Sequence, residues 1–273
     1  MAKATNPKGK KVKKESVFSG SGFVILVCFI VAVLVYFFIY GNPSNFVGDD
    51  PNNHPLDGNF FGLIYKGGAV VPVIQTLLLT VLVLSVERFF ALNKAKGKGS
   101  LTQFAINIKN ALSQGDLATA KTICDKQKGS VANVVTSALD KYAVVEKDNT
   151  LSKEQKVLSI QKEVEEATAL ELPMMSQNLP VIATITTLGT LLGLLGTVIG
   201  MIRSFAAMAG AGGTDSLALS QGISEALINT AFGIATGALA VISYNLFTSK
   251  IDNITYCIDE VGFSIVQSYA ANH

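Results

Sequence analysis

The sequence predicts an all-α, polytopic membrane protein whose long transmembrane helices extend into a cytoplasmic helical domain. Composition is the first ground. Hydrophobic residues make up 49% of the 273 and charged residues 15%, with a mean hydropathy of +0.41, whereas soluble chains average about 25% charged residues. The second ground is four long apolar stretches, each past the ~20 residues needed to cross a hydrocarbon core. The third is the placing of Lys and Arg between them, which follows the positive-inside rule. A net charge of +2, with no basic run interleaved with aromatics, gives no footing for a nucleic-acid partner.

Residues 1–16 form a basic tail with lysines at 3, 8, 10, 11, 13 and 14, expected on the cytoplasmic side. The stretch 17–41, "VFSGSGFVILVCFIVAVLVYFFIYG", carries no charge. It is longer than the ~7–15-residue apolar core of a signal peptide and does not end at a small-residue cleavage site, so a retained anchor helix is predicted. Residues 42–61 are rich in Pro, Asn, Gly and Asp and lack Lys and Arg, which predicts a periplasmic loop. A second span comes next at 62–92, with Lys66 near its outer end and the charge pair Glu87 and Arg88 near its cytoplasmic end. Pro72 falls within it and is expected to free a carbonyl that neighbouring groups must satisfy.

Residues 93–178 open with Lys94, Lys96 and Lys98 and read as a cytoplasmic helical domain. Phe104, Ile108 and Leu112 form one apolar stripe at helical spacing, and Val157, Ile160, Val164 and Ala167 another. Gly115 with Asp116, and Gly129 with Ser130, mark turns or helix ends. The region has no histidine, no phosphate-cradling glycine loop and no metal-ligand spacing. No catalytic residue, metal or cofactor is therefore expected, and the chain is not read as an enzyme. Cys28 is placed in the membrane and Cys124 and Cys257 in the reducing compartment, as small buried hydrophobes rather than a disulfide framework.

The third span is 179–209. A glycine-rich loop at 210–218, again without Lys or Arg, leads to the fourth span at 219–248 and a cytoplasmic tail at 249–273. Both termini are thus expected in the cytoplasm. At about 100° per residue, Glu225, Asn229, Thr236 and Ser243 share one arc of the fourth span with Gly222 and Gly233. In the third, Thr186, Thr190, Gly193, Thr197, Gly200 and Ser204 share one face. Such stripes serve either close helix packing of the small-xxx-small kind or a polar path. An intramembrane carboxylate is the costlier feature, at least ~2.5 kcal/mol on insertion scales, and marks an ion or proton path by default; the alternative is a neutral glutamic acid that hydrogen-bonds a neighbouring helix. Because both stripes would face hydrocarbon in a monomer, a homo-oligomer is expected.

"TLLGLLGTVIGMIRSF" followed by "GISEALINTAFGIATGALAVISYNLF" resembles the signature helix pair of the MotA/TolQ/ExbB proton-channel family, most closely its ExbB/TolQ branch. "GGAVVPVIQTLLLTVLVLSVERFFAL" is similar to that branch's first helix, which ends in a Glu-Arg pair. The resemblance implies an inner-membrane pentamer around a pore that holds the single helices of an ExbD- or TolR-like partner, with proton flow coupled to work on a TonB- or TolA-like protein. It also implies that Glu225 is the pore glutamate and that Thr197 and Thr230 are pore threonines. Thr230 lies ~140° around the helix from Glu225, so a neighbouring subunit is one place it could face. An ExbB-like role in outer-membrane transport leads; a TolQ-like role in envelope maintenance, a motility motor and a proton-coupled solute transporter are the alternatives. The helix at 17–41 is extra to the family's plan, and Arg203, near the outer end of the third span, is a charge that the pattern does not require.

Overall fold

A computed structural model describes residues 17–210 and 216–272; the expected basic tail, residues 211–215 of the expected outer loop and His273 lie outside them. Among the described residues there is no strand, only an isolated bridge between Phe46 and Pro55. Four helical stretches among the described residues are long and apolar enough to cross a membrane: Gly20–Tyr40, Val70–Ser113, Lys153–Ala206 and Gly222–Asn272.

Helix α1 (Val17–Val35) passes into a π-helical turn at Tyr36–Tyr40. The Asn45 side chain explains how that end is held, since its Nδ2 donates to the carbonyls of Ile39 at 2.8 Å and Tyr40 at 3.0 Å. The loop beyond it is closely bonded. Phe46 is buried within it, and Asn59 caps α2 (Phe60–Lys66) by accepting from the Gly62 N–H. α1 lies along α3 (Val70–Lys96).

The expected single helix from Gly62 is interrupted between α2 and α3. Gly68 has φ +75°, a left-handed conformation that glycine adopts without strain and that no α-helix continues through. Pro72 consequently sits in the first turn of α3, where its missing N–H would have had no intrahelical partner. The carbonyl that Pro72 was expected to free is therefore not an issue.

Helices α4 (Leu101–Ser113), α5 (Leu117–Gln127), α6 (Gly129–Glu146) and α7 (Lys153–Ser176) form the domain expected from the apolar stripes. Gly115 turns at φ +70° and Asp116 caps α5, while Gly129 turns at φ +80° into α6. Ser152 and Gln155 make a reciprocal capping box at the start of α7. Phe104, Ile108, Leu112 and Ile160 are all buried, and Val157, Val164 and Ala167 pack against the same core. Its other wall comes from α9 (Ser216–Asn272), through Ile258, Val261, Ile265 and Tyr269. At ~1.5 Å per residue, the 57 residues of α9 far exceed a bilayer core, so one helix joins the apolar bundle to the α4–α7 domain.

Helix α8 (Leu179–Gly210) begins after a break at Asn178, whose φ is +65°. Pro180 is tolerated in the first turn of α8. α8 and α9 then run antiparallel in the most extensive packing of the fold.

Candidate functional site

Glycines decide how α8 and α9 meet. A Cβ on Gly233 would lie 2.5 Å from the Gly189 carbonyl oxygen and 2.6 Å from the Gly193 Cα, and one on Gly200 would lie 2.7 Å from the Ala226 Cβ. Backbone therefore touches backbone along the seam, as small-xxx-small patterns permit. The two polar stripes cover each other over part of their length within one chain. That corrects the expectation that they need an oligomer to leave hydrocarbon: Asn229, Thr236, Ser243 and Ser204 are already buried in the single chain.

The seam brings Thr197 and Thr230 together. Their hydroxyls are in direct contact, and both reach the Gly193 carbonyl oxygen at 3.1 Å. Thr230 thus faces α8 of its own chain, because close approach of the helices lets a side chain off the Glu225 arc reach across. Thr236 is fully buried and donates to the Phe232 carbonyl at 2.8 Å. Thr190 stays exposed, its hydroxyl near Gly237. The six seam residues singled out by sequence therefore divide. Thr197, Thr230 and Glu225 are half-buried, Asn229 and Thr236 lie inside the chain, and Thr190 lies on its surface.

Glu225 lies in the first third of α9, close to the loop end of the bundle. It lines a cavity of about 220 Å³ with Lys66, Leu63, Pro55, Ser220 and Ser224. Lys66 and Arg203 are the cations whose field acts on its carboxyl group. One turn further along α9, the Asn229 Nδ2 donates to the Gly67 carbonyl at 2.9 Å. This fixes the amide's orientation, since only the nitrogen end can donate. Arg203 reaches the same place from α8, its Nη1 being 3.1 Å from where a Gly68 Cβ would stand. The interruption between α2 and α3 is therefore held by side chains from both signature helices.

The Glu87 and Arg88 pair lies at the opposite end and acts on the fold. Arg88 is 2% exposed and pairs with Glu87 through two contacts. Its Nη1 also donates to the carbonyls of Met174 at 3.1 Å and Met175 at 3.4 Å. These are carbonyls at the end of α7, which helix termination leaves without intrahelical partners. Glu87 accepts in turn from the Asn178 Nδ2 at 3.1 Å. The pair thus clamps the α7–α8 break to α3. Lys250 closes the same end from α9, its Nζ 4.7 Å from the centre of the Phe89 ring.

Sequence reasoning did not reach Asn178, Gly67 or Gly68, and treated Lys66 only as an end-of-span charge. The "YKGGA" glycine doublet was the available signal, since paired glycines inside an apolar run favour a break.

Residues 127–260 match the model of the MotA/TolQ/ExbB proton channel family. Similar curated proteins include biopolymer transport protein ExbB-like 3 of Synechocystis sp., 39% identical over 32% of this chain and 42% of that protein. Biopolymer transport protein ExbB of Pseudomonas putida is 30% identical over 50% of this chain and 40% of its own length. Tol-Pal system protein TolQ of Haemophilus influenzae is 32% identical over 31% of this chain and 37% of its own. The chain spans about two fifths of the length of these relatives. The matched stretch, just under half of the chain, contains α8, α9 as far as Glu260, and Glu225, Thr197 and Thr230, and it carries the likeness of this chain to the MotA/TolQ/ExbB proton channel family.

Proposed function

We propose that the chain is an inner-membrane proton-channel subunit of a motor, in which Glu225 takes up and releases the proton and Thr197 and Thr230 line the path beside it. The observation that carries the reading is a half-buried carboxyl group in an apolar helix, opening on a cavity near the loop end, on the same helix that brings the Thr230 hydroxyl onto that of Thr197. Burial favours the neutral form of a carboxyl group and a nearby cation its charged form; a group subject to both influences can exchange a proton. Each charge crossing the membrane potential releases about 2.3 kcal/mol per 100 mV, so a few protons suffice for a conformational step.

The finer reading is ExbB-like. Five copies surround the single helices of an ExbD-like partner and deliver force to a TonB-like protein for outer-membrane transport. Similarity to proteins named TolQ favours a second reading with the same chemistry, a TolR-like partner and a TolA-like receiver of force in envelope maintenance. In either, the lysine-rich 1–16 tail, the α4–α7 domain and the end of α9 are cytoplasmic, and the loop at 42–61 is periplasmic.

Glu225→Gln keeps size and hydrogen bonding but cannot ionise. The test is partner-dependent proton uptake by vesicles containing equal amounts of assembled complex. We expect insertion and assembly size to persist and uptake to fall at least tenfold, which corresponds to about 1.4 kcal/mol or more. Full uptake by Glu225→Gln would remove the proton-site reading.

A further inference from the structure

We propose that Lys66 is the counter-cation of Glu225, a positioning residue that ties the interruption in the first bundle helix to the charge on α9. The proposal rests on the reading of Glu225 as the proton site and adds what that charge acts upon.

Three elements converge here. Lys66 is the last residue of α2 and lines the same 220 Å³ cavity as Glu225. Its backbone is held in place through the two glycines after it: Asn229 takes the Gly67 carbonyl, and Arg203 packs at Gly68. A side chain at position 67 would press on Val71 Cγ2 at 2.6 Å and Asn229 Oδ1 at 3.1 Å, so the glycine is required for α2 to end so close to α9. Lys66 is therefore brought to the cavity that Glu225 lines by backbone geometry.

The lysine also has a hold on the loop. Its Nζ donates to the Asn52 carbonyl at 3.1 Å and stands 5.6 Å from the centre of the Phe46 ring. Lys66 thus holds the 42–59 loop through its ammonium group and lines the Glu225 cavity. The other charged group acting on Glu225 is Arg203 on α8. When Glu225 is charged, Lys66 draws α2 and the loop onto α9. When it is neutral, that attraction is lost and only the Asn229 and Arg203 contacts remain. Exposed charges act on each other weakly; the half-burial of Lys66 and Glu225 lessens the solvent screening across the cavity.

A double-mutant cycle on the full-length detergent-extracted protein tests the pairing. Lys66→Met should lower the thermal midpoint by about 2–4 °C and Lys66→Arg should restore it, while Lys66→Met should change nothing further in the Glu225→Gln background. An equal drop in both backgrounds would show that Lys66 is held by Asn52 and Phe46 alone and would overturn the proposal. The unmutated protein supplies a second measurement that needs no variant to fold. A water-soluble carbodiimide joins a lysine directly to a carboxylate in contact with it. Mass spectrometry should find Lys109 joined to Glu260, a pair at 2.5 Å in this structure, and, at lower yield, Lys66 joined to Glu225, since their attraction must first draw them together across the cavity they share. The Lys109 link without the Lys66 link would also overturn the proposal. Neither measurement reads proton uptake, so a fully active Glu225→Gln variant with intact coupling would refute the proton-site reading while leaving the pair standing.

Discussion

Arg88 shows how one side chain can hold a helix junction. It is buried, it has an acidic partner, and its remaining donors satisfy the Met174 and Met175 carbonyls. Removing one partner of a buried pair costs about 3–5 kcal/mol because the other is left uncompensated. Since Glu87 is 44% exposed, the lower end of that range applies. Arg88→Met should lower the thermal midpoint and loosen the α7–α8 junction, read as faster amide exchange around residues 174–179. Arg88→Lys should rescue only in part, because an ammonium cannot span two carbonyls and a carboxylate with a planar fork. Cys124 is a second case. Burial pushes its thiol up to about 11, against the opposing pull of a hydrogen bond with Thr136. The reactive thiolate is therefore scarce at neutral pH and accumulates only as the pH approaches that value. Folded protein at pH 7.5 should leave Cys124 unlabelled by a maleimide, and denatured protein should label it fully.

At the scale of the element, the α8–α9 seam depends on the absence of side chains. Gly233→Ala places a methyl group 2.5 Å from the Gly189 oxygen, where only backbone movement can relieve the clash, at a cost of about 1–3 kcal/mol. Gly20→Ala is the matched control. No atom lies within 4 Å of its added Cβ, and alanine favours helix by about 1 kcal/mol over glycine. Thermal midpoints in detergent should fall for the first and hold or rise for the second. Separation of α8 from α9 would also part Thr197 from Thr230, so Gly233→Ala should reduce proton uptake even where assembly survives.

The whole molecule is an apolar bundle joined to a helical domain by α9, and its orientation and assembly are predictions at this scale. Asn52 and Ser113, the sites for single cysteines in a cysteine-free background, are both exposed. An impermeant reagent applied to intact spheroplasts should label the first and spare the second; equal labelling would refute the four-span arrangement. Native mass spectrometry should give a pentamer. Because the polar stripes are covered within the chain over part of their length, other surfaces are expected to hold the pentamer as well, and exposed apolar side chains such as Leu191, Leu194, Val198 and Ile202 on α8 are available for it.

The sequence by itself determined that this is a helical membrane protein with four apolar stretches and a helical insertion. Those features come from local periodicity, length and charge, which need no partner to be read. It also singled out Glu225 as the principal residue of the proposed site, since a carboxylate in an apolar helix is anomalous wherever the helix packs. Only the tertiary structure decided which of the polar neighbours accompany it. Thr230 lies off the Glu225 arc yet meets Thr197, because glycines let two backbones touch; Asn229 shares the arc yet is spent on the Gly67 carbonyl, and Lys66 lines the Glu225 cavity because a glycine doublet ends α2 beside α9. Helical projection places a side chain around its own axis, whereas its partner depends on how near the next helix comes and where that helix breaks, which are properties of packing between distant segments.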